Sequence, residues 1–399
     1  MAGETIVRGA GPLTDLRVLD LSEGVAGPFA TKLLSSLGAD VITVEAPGRG
    51  DESRSRPPFL ADDPHPEKSG LFLYLNTDKR SITLDLRQPG GQAIARKLIE
   101  WADIVVESFA PGQLQRWNID YDSIEQLSPE TILVSVSGYG QEGPYSAYEW
   151  SNLSALAMGG LLQITGDPDR EPLKVGGRPA EYLGGLAAFS GAMVALYAQR
   201  ATGEGQHVDV SLTEAVATAQ MYSGLNYAYL GENRERVNEF APTFRVQNGH
   251  VGVMYRQQNW ADFCRMMERP DMIEDERFND MTTRRTHSAE LNEIVSAWMS
   301  TQEKRELYHR AQAQGMPFGY ICNARDLIES PQYQHREYFV ELDHPVSGRL
   351  TYPGTPLRWD GHAQPTDRAP LLGEHNGEVY NSLGYSDAEQ VILRSEQII

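Results

Sequence analysis

The stretch "LRVLDLSEGVAGPFATKLLSSLGADVITVEAP", residues 16–47, decides the fold. Its first part, "LRVLDLS" (Leu16–Ser22), is a short leucine-rich and β-branched run that reads as a strand. "GPFATKLLSSLGAD" follows with helix signals, Pro28 near the first turn and Gly38 at the end. "VITVEAP" (Val41–Pro47) is the next strand. The alternation continues. "GGQAIARKLIEWAD" predicts a second helix and "IVVESF" (Ile104–Phe109) a further strand. "SIEQLSPE" predicts a short helix and "TILVSVSGYG" another strand. Strands and helices alternating at this spacing predict an α/β fold, with a parallel, Rossmann-like sheet covered on both faces. Ligands of such sheets sit beyond the carboxyl ends of the strands. Here those ends are Ser22–Pro28, Glu45–Asp51, Glu107–Gly112 and Ser137–Gly143.

Downstream, "ALAMGGLLQITGD" and "LGGLAAFSGAMVALYAQRATG" predict two small-residue helices able to pack closely. "HVDVSLTEAVATAQMYSGLNYAYLG" adds a strand and a helix. After Gly231 the chain turns charged, and "APTFRVQNGHVGVMY" reads as a hairpin ahead of amphipathic helices. The expected organisation is a large domain over 14–231, a smaller α+β domain over 232–325, and a return to the large domain over 326–399.

Bulk properties narrow the function. The chain has 399 residues, is 40% hydrophobic and carries a net charge of -20. That charge argues against a nucleic-acid partner, though a local basic pocket can still take a phosphorylated small molecule. Two cysteines, Cys264 and Cys322, make a disulfide framework unlikely to be needed and point to a reducing compartment. The N-terminal "MAGETIVRGAGPLTD" has no apolar leader region, and no run approaches the ~20 apolar residues of a membrane span. The expectation is a cytoplasmic protein without a membrane partner. No G-x-G-x-x-G follows the first strand, and no Walker A loop, H-E-x-x-H or Cys/His cluster occurs, so no metal is expected. No G-x-S-x-G elbow supports a serine nucleophile.

Three places carry chemistry. In "LNTDKRSITLDL" (Leu75–Leu86), Lys79 and Arg80 are either a phosphate contact or a solvated turn. In "ESFAPGQLQRW" (Glu107–Trp117), Phe109 and Arg116 would suit an adenine ring and its phosphates, although Phe109 fits a core equally. In "RPAEYLGGLAAFSGAMVALYAQRATGEGQHVDVSL" (Arg178–Leu212), Glu181 stands alone at the mouth of an apolar helix. It is either a helix-dipole partner or a nucleophile.

Together "VLDLSEGVAGPFATKLLSSLGADVITVEAPGRGD", "YLNTDKRSITLDL", "ADIVVESFAPG", "VSVSGYGQEGPY", "AMGGLLQITGDPDREPLKVG", "EYLGGLAAFSGAMVALYAQRATGEGQHVDVSL" and "PLLGEHN" resemble the class III coenzyme A transferases, the CaiB/BaiF family. The resemblance implies a Rossmann-like large domain, an inserted smaller domain and two interlocked subunits. It implies a carboxylate that attacks an acyl-CoA thioester, forms a mixed anhydride and releases coenzyme A as thiolate. The family's aspartate falls on Glu181, which is then a working nucleophile in a re-cut pocket or a relic. Coenzyme A contacts are implied at Val25, Ala46, Leu75, Lys79, Arg80, Ser108, Phe109, Arg116 and Ser137. Coenzyme A is a substrate here, not a permanently bound cofactor.

Departures from the family pattern are Ala46 for the usual Arg or Pro, Asp78 and Ser108 for Asn, and no glycine-rich loop between Gly231 and Trp260. The leading reading is a CoA transferase acting on an acyl-CoA and a carboxylic acid. The second is a non-catalytic CoA-binding subunit of a heterodimer with a paralogue. The third is an acyl-CoA racemase, which lacks one base because Trp150-Ser151 stands where His-Asp would fall.

Overall fold

The computed structural model describes residues 11–220, 222–233, 236, 243–254, 256–358 and 366–399. Part of the stretch searched for a glycine-rich loop, 237–242, lies outside them. Two compact units form: Met1–Thr165 with Pro172–Arg234 and Gln334–Ile399, and Gly166–Glu171 with Glu235–Tyr333.

In the first unit β1 (Arg17–Asp20), α1 (Ala26–Ser35), β2 (Asp40–Glu45), α2 (Gly70–Leu75) and β3 (Arg80–Thr83) come first. Next are α3 (Pro89–Trp101), β4 (Ile104–Glu107), α4 (Gln113–Arg116), α5 (Tyr121–Leu127) and β5 (Ile132–Ser137). Then follow α6 (Asn152–Met158), α7 (Pro179–Thr202), β6 (His207–Ser211), α8 (Leu212–Ala219) and α9 (Tyr222–Leu230). The six strands form one parallel sheet in the order β3-β2-β1-β4-β5-β6. The order reverses between β1 and β4, which opens a crevice at their carboxyl ends. Alternation along each strand feeds two cores. Val18, Val41, Val106 and Val134 pack with α1, α7 and α8, whereas Leu19, Ile42, Val105 and Leu133 pack with α3 and the C-terminal Ile398. Strands buried on both faces explain why their sequences read as near-continuous apolar runs.

The second unit has its own core around Phe244, Val251, Phe263, Leu291 and Val295. β7 (Thr243–Val246) and β8 (Gly249–Gly252) form the hairpin. After it come α10 (Trp260–Met266), α11 (Met281–Thr286), α12 (Ser288–Met299) and α13 (Lys304–Ala313). β9 (Gly319–Tyr320) pairs with β8. The sequence places the end of this unit at 325, but it runs to Tyr333. The reason is α14 (Ala324–Ile328), whose Asp326 pairs with Lys304 at 2.5 Å and Arg305 at 2.9 Å on α13. A single turn of helix, α15 (Pro331–His335), leads back to the first unit. There β10 (Phe339–His344) and β11 (Gly348–Pro353) form an antiparallel pair, followed by α16 (Asn376–Ser382) and α17 (Asp387–Ser395).

Candidate active site

The site begins with how closely α7 approaches α1. A Cβ at Gly185 would lie 2.6 Å from the Ala26 carbonyl oxygen, and one at Gly184 would lie 2.0 Å from a Leu212 methyl. Only the glycine pair lets α7 rest directly on α1 and α8. Tyr182 then meets Phe29 of α1 edge-on, with ring centroids 4.9 Å apart. Pro179 sets the first turn of α7, and the Ala180 N–H donates to Asn152 Oδ1 at 3.1 Å. Asn152 Nδ2 is buried with no partner among the described residues.

Glu181 is therefore fixed in the first turn of α7, with only 7% of its side chain exposed. Arg178 Nη1 donates to both of its oxygens, at 3.0 and 3.1 Å. Burial pushes the Glu181 carboxyl above the ordinary glutamate value, Arg178 and Arg56 pull it part of the way back, and Glu52 pushes it up. Two similar pairs stand nearby: Arg56 with Glu52 at 2.7 Å and Arg49 with Glu23 at 3.2 Å. Gly24, between β1 and α1, has φ +87, and a Cβ there would meet Glu52 Oε1 at 2.5 Å. Its N–H donates to Asp51 at 3.1 Å. Burial raises the Asp51 carboxyl to about 7 despite the Ser53 hydrogen bonds. Beneath this loop Arg54 is buried between Glu45 at 2.6 Å and Glu67 at 2.8 Å, and lies 3.5 Å over the Phe72 ring.

A cavity of about 320 Å³ opens at the carboxyl ends of β1–β4. Ala46, Phe109 and Trp117 form its apolar wall, and Arg49, paired with Glu23, and Arg87, paired with Asp85 at 2.8 Å, bring cations to it. Phe109 meets Trp117 edge-on at 5.0 Å. A second cavity of about 360 Å³ lies towards β6, lined by Glu107, Asp120, Asp122 and Glu142. The first cavity also holds carboxylates, Glu23, Glu45 and Asp85, but sets Arg49 and Arg87 against them, whereas the second has no lysine or arginine in its lining, so the first is the better fit for a phosphorylated ligand.

Of the residues read from sequence, Ala46 and Phe109 line the first cavity. Ser108 braces it instead, its Oγ accepting from the Glu23 N–H at 2.9 Å. Val25 and Leu75 are buried in the protein, and Arg116 is exposed outside the lining. Ser137 is buried with its hydroxyl unpaired among the described residues.

The basic pair needs correction. Lys79 is fully buried and donates to Asp20 at 3.0 Å, the Pro28 carbonyl at 3.0 Å and Asn76 at 2.9 Å. Arg80 is held by Asp40 at 2.6 Å and Glu378 at 2.9 Å. β3 starts at Arg80, so both residues stand at the amino end of the strand, away from the ligand end of the sheet. The cations that do reach the cavity, Arg49 and Arg87, follow the ends of β2 and β3. Strand-end position, rather than adjacency of two charges, was the signal for them.

The profile of CoA-transferase family III matches residues 13–376. This chain belongs to that family. It is 32% identical to the succinyl-CoA–D-citramalate CoA-transferase of Chloroflexus aurantiacus, over 97% of this chain and 98% of the relative. It is 30% identical to the human succinyl-CoA:glutarate CoA-transferase, over 94% of this chain and 87% of the relative. The crystal structure of a CaiB/BaiF family protein from Brucella suis superposes with a TM-score of 0.84 at 29% identity, covering 94% of this chain and 99% of that one. Membership in CoA-transferase family III sets the general activity as coenzyme A transfer, with acyl-CoA and carboxylate substrates. Among the described residues no helix is long and apolar enough to cross a membrane.

Proposed function

We propose that the chain exchanges coenzyme A between an acyl-CoA and a carboxylic acid, with Glu181 as covalent nucleophile. The observation that carries this reading is a carboxylate buried at the first turn of α7 and held by an arginine. One Glu181 oxygen adds to the thioester carbonyl, the C–S bond breaks, and coenzyme A leaves as thiolate from a mixed anhydride. The thiolate then adds to the glutamyl carbonyl and expels the first acid. The acceptor carboxylate reverses the two steps and regenerates Glu181. Each addition develops negative charge on a carbonyl oxygen, and Asn152 Nδ2 is a buried donor of the kind that charge needs. Coenzyme A occupies the cavity with its adenine near Phe109 and Trp117 and its phosphates near Arg49 and Arg87. The names of the relatives support a dicarboxylic acid as the acid class.

The reading is tested with Glu181→Gln, which keeps the shape but cannot attack. Transfer is expected to fall at least a thousandfold while calorimetric affinity for coenzyme A stays within about twofold. Full transfer by the variant would overturn it. A second reading, a non-catalytic subunit beside a paralogue, draws support from the pairing of both Glu181 oxygens with Arg178. It predicts that the same variant leaves turnover of a reconstituted heteromer unchanged. The racemase reading gains nothing here: Trp150 lies over Gly138, where a Cβ would be 2.4 Å from the indole, and Ser151 caps α6.

A further inference from the structure

The arginine that holds Glu181 has more donors than it uses. A guanidinium carries five N–H groups in a planar fork. Arg178 places only Nη1 on Glu181, which leaves the Nη2 and Nε edge without a side-chain acceptor among the described residues. The side chain is 38% exposed, while the carboxylate it holds is 7% exposed. Arg178 is thus the more accessible member of the pair.

Among the described residues two cations act on Glu181: Arg56, which is bonded to Glu52 through Nη2, and Arg178, which alone touches the carboxylate itself. The rings of Tyr182 and Phe29 beside the first turn of α7 add apolar surface rather than charge to this end of the site.

We propose that Arg178 is the specificity-determining residue for the acid: Nη1 holds Glu181, and the Nη2/Nε edge receives the second carboxylate of a dicarboxylic acid or of its half-thioester with coenzyme A. This rests on Glu181 being the reacting carboxylate and deepens that reading. One guanidinium then sets the distance between the nucleophile and the far end of the substrate. A substrate lacking the second carboxylate leaves that edge unpaired in the complex. Loss of a charged hydrogen bond of this kind changes affinity by about tenfold to a hundredfold. Lysine cannot replace the fork, because its single ammonium cannot hold two carboxylates in fixed planar geometry.

The test compares succinyl-CoA with butyryl-CoA, which has the same four-carbon chain without the second carboxylate. Calorimetry on the full chain reads binding, and kcat/KM with succinate against butyrate as acceptor reads transfer. Wild type is expected to prefer the dicarboxylic member by about tenfold or more in both measurements. Arg178→Met is expected to abolish the preference, and Arg178→Lys to keep only part of it, with circular dichroism confirming that both fold. A wild type without preference, or an Arg178→Met variant that retains it, would overturn the proposal. Failure of the Glu181 reading is separate: Glu181→Gln would then retain transfer, whatever the binding preference. If Arg178→Met does not fold, the wild-type preference and the Arg178→Lys variant still decide.

Discussion

Glu181 has an acid's usual reasons to sit where it does, and one more. The first turn of a helix favours negative charge, but by no more than about 1 kcal/mol at exposed positions. Burial costs a carboxylate more than that unless it is paired, and Arg178 supplies the pair. The extra methylene relative to aspartate extends the carboxylate by roughly one C–C bond, about 1.5 Å. The pH dependence follows from these contacts. Attack needs the ionised form, and burial raises the Glu181 value. Transfer should therefore fall as pH drops through a value above the ~4.3 of free glutamate. Arg178→Met removes the largest opposing interaction, so the acid limb of kcat/KM should move to still higher pH. An acid limb that stays in place would show that Arg178 does not act on this group. In the cavity, an Arg49→Ala, Arg87→Ala double variant should weaken coenzyme A binding several-fold and flatten its salt dependence by calorimetry. The sequence made Glu181 and Phe109 visible through motif position. It hid Arg178, because an arginine three residues before an acid reads as an ordinary helix-start pair until both are seen at the same buried turn.

At the scale of elements, α7 and the loop between β1 and α1 form the frame of the site. The glycines of "LGGL" serve contact rather than flexibility. Gly185→Ala would place a methyl group against the Ala26 carbonyl, which backbone alone can relieve. The expected cost is about 1–3 kcal/mol by chemical denaturation, with a larger loss of turnover because Glu181 moves with α7. Asp51 adds a pH term. Its folded value is raised to about 7 against about 3.9 when unfolded, so its contribution to stability is full below about pH 4 and is lost as pH rises to about 7. The stability of wild type minus that of Asp51→Asn should decline over that interval at fixed protein concentration, and be flat above it. The strands, their parallel pairing and the ligand end of the sheet were legible because runs buried on both faces leave a plain signal. What was not legible was the role of charges tied to distant partners. Lys79 reaches Asp20, Arg80 reaches Glu378, and Arg54 reaches Glu67, and no local pattern announces such pairs.

At the scale of the whole molecule, α7 and α9 carry strongly exposed apolar side chains. Val194 and Tyr197 on α7 are 70% and 81% exposed, and Tyr229 and Leu230 on α9 are 84% and 68% exposed. Large apolar side chains this exposed suit a surface that another protein covers. A second copy of this chain is the proposed occupant. A dimer is expected by analytical ultracentrifugation at micromolar concentration, and a Tyr197→Asp, Tyr229→Asp variant should dissociate. A wild-type monomer would contradict this, and would leave the four side chains unexplained. Dimerisation would also make thermal unfolding concentration-dependent.

Covalent chemistry at Glu181 can be read directly. The protein is incubated with succinyl-CoA and an acceptor acid, hydroxylamine is added during turnover, and the peptide containing Glu181 is sequenced by mass spectrometry. Activity is expected to fall in step with conversion of Glu181 to its hydroxamate, because hydroxylamine intercepts the anhydride or the glutamyl thioester. Sustained turnover with Glu181 unmodified, or a hydroxamate on a different carboxylate, would contradict it.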